Sequence, residues 1–204
     1  MLVHGIEMEQ AGCRVCANWI KDGTFEPESL AIWMQAVRDG DLAIDVGAYT
    51  GLYAITAAAA GAPAIAYEPN PPVFAQLIRN VQRNRVTVDC RNTAVSDKIE
   101  TRDFYTASRM TSAGRFKPRE GDSKQTVHCV TLGGYSHRVA AIKIDVEGAE
   151  LAVLRGAEAI LKRDRPVVIA EALTDAAQRS LVMHMTGRGY KWSIADRRNL
   201  VFRP

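Results

Sequence analysis

Short apolar runs alternate with amphipathic stretches along most of the chain, beginning near residue 41. The apolar runs have the length and composition of buried parallel strands, and they cover residues 41–46, 64–67, 86–95, 140–145 and 166–170. The amphipathic stretches have the spacing of helices, and they cover residues 52–60, 71–84, 149–162 and 175–187. Repeated strand and helix units predict an α/β fold with a mostly parallel sheet and helices on both faces.

The two ends and one internal segment depart from this rhythm. Residues 191–194 and 200–202 alternate around a polar turn, which predicts a C-terminal antiparallel hairpin. Residues 1–40 are expected to form an N-terminal cap, followed by a single domain over residues 41–204. Residues 98–130 are expected to be an insertion, either a lid over the site or a surface loop.

Composition narrows the function classes. The net charge of +3 is too small to imply a nucleic-acid or membrane partner. Residues 46–67 carry no charge, but glycines and a proline interrupt them, so they are not a membrane span. No export signal is evident, and a cytoplasmic location is expected. Cys13 and Cys16 lack a second ligand pair, so no metal site is expected.

The loop after the first strand, residues 45–51, indicates a nucleoside cofactor. Ligands of open α/β sheets bind beyond the carboxyl ends of the strands, where Asp45, Gly47 and Gly51 lie. Glu68 ends the next strand, at the offset expected for a carboxylate that binds ribose hydroxyls. Tyr49 stands where a dinucleotide fold needs its middle glycine and would obstruct a pyrophosphate. S-adenosylmethionine, which has no phosphate, therefore fits better than NAD.

A second group of ionisable residues surrounds the end of the fourth strand. Lys143, Asp145 and Glu147 lie where burying a charge without a partner is unfavourable. Carboxylates here could hold a substrate hydroxyl or amine, or accept its proton. The alternative is a structural pair between Lys143 and an acid. Of the four histidines, His137 is the best placed to act as a base, although a structural role suits it better.

Several segments together resemble the FkbM family of methyltransferases, over roughly residues 25–172. These segments are DVGAYTG, YEPNP, NTAVSD, IKIDVEGAELAVLRGA and RPVVIAE, and they begin at residues 45, 67, 92, 142 and 165. The resemblance implies a Rossmann-like class I methyltransferase fold with a seven-stranded sheet. It also implies S-adenosylmethionine as cofactor and methyl transfer to a hydroxyl of a small molecule, without nucleic acid or membrane as partner. A homo-oligomer is left open.

The resemblance assigns roles to particular residues. Those that would hold the cofactor are Glu26, Asp45, Gly47, Ala48, Tyr49, Gly51, Glu68, Asn70, Ala94, Val95, Ser96 and Asp145. Within this set, residues 94–96 would wall the adenine, Glu68 would bind the ribose, and Asp145 would lie beside the transferable methyl group. The candidate catalytic residues are Asp145, Glu147 and Lys143.

Two departures from the family pattern leave alternatives open. Family members usually carry Asn where this chain has Tyr49, and Leu-Asp-Asp where it has Leu132-Gly133-Gly134. The second departure bears on the loop before the fourth strand and on the acceptor. The competing functions are a nicotinamide-dependent oxidoreductase on the same fold, and a degenerate methyltransferase domain that acts as a binding module.

Overall fold

A computed structural model of the protein describes residues 2–3, 6–9, 25–37, 41–107 and 114–204. The half zinc site considered at Cys13 and Cys16 lies outside the described residues. Among the described residues, no group of three or more His, Cys, Asp or Glu side chains could hold a metal ion. No helix in the described part of the chain is both long and apolar enough to cross a bilayer.

The central sheet has seven strands within the described residues, in the order β12-β13-β11-β10-β3-β4-β5. Their bounds are β3 Leu42–Val46, β4 Ala64–Tyr67, β5 Asp89–Arg91, β10 Val139–Ile144, β11 Val167–Glu171, β12 Lys191–Ala195 and β13 Asn199–Arg203. Strands β11, β10, β3, β4 and β5 are parallel to one another, whereas β13 of the C-terminal hairpin is antiparallel to both β11 and β12. The predicted Rossmann-like α/β fold and its terminal hairpin are therefore confirmed.

Helices cover both faces of this sheet. Their bounds are α1 Pro27–Ala36, α2 Leu52–Ala59, α3 Pro71–Arg83, α4 Glu150–Gly156, α5 Glu158–Arg163 and α6 Asp175–Thr186. The single helix expected over residues 149–162 is interrupted at Ala157. At this interruption Gly156 lies against the backbone of Ser96, and a Cβ on Gly156 would come 2.0 Å from the Ser96 backbone oxygen. This close approach accounts for the glycine at position 156.

The third predicted strand, over residues 86–95, divides in two. Only Asp89–Arg91 joins the central sheet, whereas β6, Ala94–Val95, pairs with a second sheet. This second sheet contains β7 Glu100–Ala107, β8 Gly114–Arg115 and β9 Asp122–Val130 in the order β6-β9-β7-β8. The expected insertion thus consists largely of antiparallel strands packed on a small core of its own, which includes Phe104, Val127 and Cys129.

The N-terminal residues attach to the domain at two places. Two short strands, β1 Leu2–Val3 and β2 Ile6–Glu7, lie beside helix α3, where Asn84 exchanges hydrogen bonds with the Glu7 backbone. Helix α1 packs on α2, and the buried Trp33 indole donates to the Tyr53 carbonyl at 3.0 Å. Asp196, from the turn between β12 and β13, accepts hydrogen bonds from the Glu28 and Ser29 amides and so caps α1.

Candidate active site

The carboxyl ends of four neighbouring strands bring the site together. Because β11, β10, β3 and β4 are parallel and adjacent, their ends meet at one edge of the sheet. Acidic side chains lie at all four ends: Asp45 on β3, Glu68 after β4, Asp145 after β10 and Glu171 on β11. We call these four residues the acid cluster. The predicted cofactor and catalytic acids therefore lie together.

The loop over residues 47–51 bends tightly over the end of β4. The amides of Gly47 and Ala48 both donate to the Tyr67 carbonyl at 2.9 Å, and the Tyr49 amide donates to Glu68 Oε2 at 3.0 Å. Tyr49 has a φ of 51°, a region that Asn and Gly adopt more readily than Tyr. The bond to Glu68 helps to hold this strained backbone.

Gly47 is needed for close approach between β3 and β10. It has a φ of 78°, and a Cβ on it would lie 1.8 Å from the Asp145 backbone oxygen. Gly61 has a similar φ of 91°, but nothing lies within 4 Å of its added Cβ. Both glycines therefore have a positive φ, but a Cβ would collide with neighbouring backbone only at Gly47.

We therefore expect Gly61→Ala to lower the free energy of unfolding by about 1 kcal/mol, which is the penalty of the backbone conformation alone. Gly47→Ala should lower it by at least about 2 kcal/mol more, because backbone atoms must move. Urea denaturation of both variants measures the difference. Equal losses in the two variants would contradict a close contact at Gly47.

Glu68 and Asp45 are buried acids with few hydrogen-bond donors. Glu68 accepts from the amides of Tyr49 and Asn70, and Asp45 Oδ2 accepts from the Ala54 amide at 3.1 Å. Burial raises the pKa of Glu68 to about 8 and that of Asp45 to about 7, despite these bonds. Each carboxylate still has lone pairs that can accept further hydrogen bonds. These acids are thus suited to a ligand that brings donors or positive charge.

Lys143 is the cation at the centre of the acid cluster. Its side chain is buried; Nζ donates to Asn199 Oδ1 at 2.9 Å and lies 3.4 Å from Glu26 Oε2 and 3.9 Å from Asp145 Oδ2. The Tyr53 hydroxyl donates to the same Glu26 oxygen at 2.6 Å. Burial opposes the charged form of Lys143, but the surrounding carboxylates, Glu26 first, raise its pKa overall. Lys143 is therefore held as a cation. Through its ion pair with Glu26, it connects β10 with the segment before α1.

Asp145 and Glu171 form a pair of carboxyl groups on neighbouring strands. Ile144 pairs with Ala170 in the parallel register, so the two following residues, Asp145 and Glu171, lie side by side at the ends of neighbouring strands. The Asp145 side chain keeps 33% of its surface exposed. Burial and the proximity of Asp145 raise the pKa of Glu171 to about 8. Ionisation of one of the two groups thus opposes ionisation of the other.

Glu147 lies on the loop after β10, and the buried side chain of Glu150 holds the backbone of this loop in place. Glu147 has a φ of 55°, and Glu150 Oε1 accepts from the amides of Val146 and Gly148 on either side of it. Burial and the charge of Asp145 raise the pKa of Glu147, whereas Arg115 and Arg119 of the insertion lower it. The insertion therefore approaches Glu147 at this edge of the sheet. A role as a lid stays a prediction.

The proposed adenine wall lies one strand further along the edge. Ala94 and Val95 are buried, and Ser96 is fully buried with its hydroxyl donating to Asp97 at 3.2 Å. The preceding Asn92 joins this segment to the acid cluster, because its side chain donates to the Glu68 carbonyl at 2.8 Å. The segment is adjacent to Glu68, as the resemblance implies, and its contact with adenine stays a prediction.

Three supporting residues were missed by the sequence interpretation. Tyr53 and Asn199 hold Glu26 and Lys143, and Glu150 holds the loop that presents Glu147. Asn199 is far from Lys143 in sequence, and no local pattern indicates their contact. Glu150 could have been noticed, since it closes the IKIDVEGAE segment.

Two features that the sequence analysis related to the site, His137 and the Gly133-Gly134 departure, lie away from it in the structure. Gly134 and His137 precede β10, a six-residue strand about 20 Å long, and so lie at the opposite edge of the sheet from Asp145. Both line a separate open cavity of about 860 Å³ beside Arg85 and Arg91. His137 is therefore no candidate base, and the Gly133-Gly134 departure does not bear on the acceptor at the acid cluster.

The acid cluster offers the groups that S-adenosylmethionine needs. Glu68 and Asp45 offer acceptors for ribose hydroxyls and for the α-ammonium group, and the exposed Asp145 offers negative charge to the sulfonium. The same acids would repel a pyrophosphate, which would also need the space that Tyr49 occupies. The residues present therefore fit a cationic adenosyl ligand better than a dinucleotide.

Comparison with protein families agrees with this chemistry. The model of the methyltransferase FkbM domain matches residues 45–191, which is more than half of the chain. A comparison with curated proteins found no match.

Solved methyltransferase structures share the fold at low sequence identity. The FkbM methyltransferase of Methylobacillus flagellatus KT is 15% identical with a TM-score of 0.51, over 80% of this chain and 44% of that one. The present chain thus spans less than half of that protein. The Thermotoga maritima SAM-dependent O-methyltransferase is 13% identical with a TM-score of 0.56, over 86% of this chain and 64% of that one. The Synechocystis PCC 6803 magnesium protoporphyrin IX methyltransferase, solved with bound SAM, is 12% identical with a TM-score of 0.56, over 95% and 93%.

Proposed function

Because the chain belongs to the FkbM family of S-adenosylmethionine-dependent methyltransferases, we propose that it methylates a hydroxyl group of a small molecule. The observation that carries this proposal is a partly exposed carboxylate, Asp145, beside the buried acids Asp45 and Glu68. A methyl donor bound by the buried acids would present its reactive group to the exposed one.

Residues on three strands would hold the cofactor. Glu68 would accept hydrogen bonds from the ribose hydroxyls, since the Tyr49 and Asn70 amides already orient its carboxylate. Asp45 and the loop over residues 47–51 would hold the methionine end, and residues 94–96 would wall the adenine. Glu26 would reach the cofactor from the segment before α1, where Lys143 and Tyr53 fix its carboxylate.

The remaining acids would act on the acceptor. S-adenosylmethionine supplies an electrophilic methyl group on a sulfonium. Asp145 would accept the acceptor's proton as its oxygen attacks, and Glu147 would help to orient the acceptor. Lys143 would hold the carboxyl groups of its neighbours Glu26 and Asp145 in place. Orientation of donor and acceptor in line would contribute several kcal/mol of the rate enhancement, on the order of that seen in intramolecular reactions.

The charge of the site favours a small molecule over nucleic acid as acceptor. In this proposal Asp145, Glu147 and Glu171 would face the acceptor, and their charge, only partly offset by Arg115 and Arg119, would repel a phosphate backbone. One structural relative, from Pyrococcus abyssi, is a tRNA methyltransferase, but at 13% identity it shares only the fold. The acceptor is therefore expected to be neutral or cationic near its hydroxyl.

Transfer of a labelled methyl group from S-adenosylmethionine into a fractionated metabolite extract tests the proposal. We expect labelled product that mass spectrometry identifies as a methyl ether, formed at least about 100-fold more slowly by Asp145→Asn. Labelled N-methyl product would overturn the choice of a hydroxyl. Binding of S-adenosylhomocysteine without any transfer would instead favour the binding module.

A further inference from the structure

The pair formed by Asp145 and Glu171, called here the carboxyl pair, has more negative charge around it than positive charge. Glu26 before α1, Asp45 on β3, Glu68 after β4, and Glu147 and Glu150 after β10 all interact with it electrostatically. Lys143 on β10 is the cation nearest to the pair in the described part of the chain. Arg115 and Arg119 of the insertion act on the neighbouring Glu147.

Lys143 cannot neutralise this set of acids alone. Its Nζ is closer to Glu26 than to Asp145, at 3.4 Å against 3.9 Å, and one of its donors is directed at Asn199. Two carboxylates side by side at a partly buried position oppose each other's ionisation, and the cation beside them is shared with Glu26 and Asn199. The parallel register places Asp145 beside Glu171, where a proton on either carboxyl group can be donated to the other.

We infer that the carboxyl pair shares one proton in the free protein, and that the positive charge of S-adenosylmethionine expels this proton to solvent. The inference rests on the proposed function, because it needs the sulfonium to lie near Asp145. The pair then carries two negative charges while the methyl donor is bound, and only in this state can it take up the acceptor's proton.

Charge and protons balance over the reaction. The doubly ionised pair takes the proton from the acceptor hydroxyl as the new carbon–oxygen bond forms and the carbon–sulfur bond breaks. The positive charge of the sulfonium disappears in the same step, since the product is a neutral sulfide. The pair therefore regains its shared proton as the cation that expelled it is lost. One proton is released per turnover, during cofactor binding.

The shared proton predicts for which ligand the binding affinity depends on pH. A ligand that prefers the ionised pair binds more tightly as pH rises, until the pair is ionised in the free protein as well. Glu171 has a pKa of about 8 in the free protein, so the affinity for S-adenosylmethionine should rise up to that pH. S-adenosylhomocysteine has no charge on sulfur, and its affinity should not follow the pair.

Titration calorimetry in two buffers of different ionisation enthalpy counts the protons released on binding. We would compare the wild type with Glu171→Gln at about pH 7.5, using S-adenosylmethionine and S-adenosylhomocysteine as probes. Glutamine can still donate a hydrogen bond to Asp145 but carries no proton to lose. The difference between the two proteins isolates the pair, because the ammonium of each ligand titrates equally in both.

We expect the wild type to release about half a proton more than Glu171→Gln with S-adenosylmethionine, and no more with S-adenosylhomocysteine. Glu158→Gln removes an exposed carboxylate that binds Arg188, a residue just after the C-terminal end of α6. This variant should release as many protons on binding as the wild type does. The same difference for both ligands, or none for either, would overturn the inference. Failure of both ligands to bind the wild type would instead overturn the proposed function.

Discussion

Replacing Glu68 with glutamine is expected to weaken S-adenosylhomocysteine binding about 100-fold or more. Two charge-assisted hydrogen bonds from ribose hydroxyls would be lost, each contributing about 1.5–3 kcal/mol. The glutamine amide would also face the Tyr49 or Asn70 amide, which donates to the carboxylate in the wild type. Asp45→Ala should weaken binding to a similar extent. Calorimetry with S-adenosylhomocysteine measures both.

A matched control is Asp89→Asn, which changes a carboxylate at the start of β5 in the same sheet. Asp89 binds Arg91 at 2.6 Å, away from the acid cluster. Its variant should bind as the wild type does. Unchanged affinity in both the Glu68 and the Asp45 variants would place the cofactor elsewhere.

Asp145→Asn is expected to separate turnover from affinity. The rate of methyl transfer should fall about 10²–10⁴-fold, because an amide cannot accept the acceptor's proton. The affinity for S-adenosylhomocysteine should change by only about threefold, because this ligand has no sulfonium to interact with the carboxylate. Labelled-methyl transfer and calorimetry on the same preparation provide the two values.

Glu158→Gln is again the control, since it removes an exposed carboxylate that binds only Arg188 at 2.7 Å. A full rate in Asp145→Asn would exclude Asp145 as the base. An equal loss of rate and of affinity would mean that Asp145 binds the cofactor rather than acting on the acceptor.

Local sequence patterns were sufficient to predict the strands and helices that build the site. The strand over residues 64–67 was predicted with the bounds that the structure has, and helix α3 was predicted to within one residue. The positions of Asp45, Glu68 and Asp145 at strand ends followed, because the end of an apolar run is a local feature. The division of residues 86–95 between two sheets was missed, since periodicity does not show which sheet a short strand joins.

The sequence by itself thus determined which residues lie at the carboxyl end of a parallel sheet, and that a cofactor without phosphate suits the loop after β3. Only the tertiary structure decided which of these residues meet. The register of β10 with β11 places Asp145 beside Glu171, and the C-terminal hairpin brings Asn199 to Lys143. These contacts depend on strand order and register across the whole chain, and side-chain spacing within one segment carries no information about either.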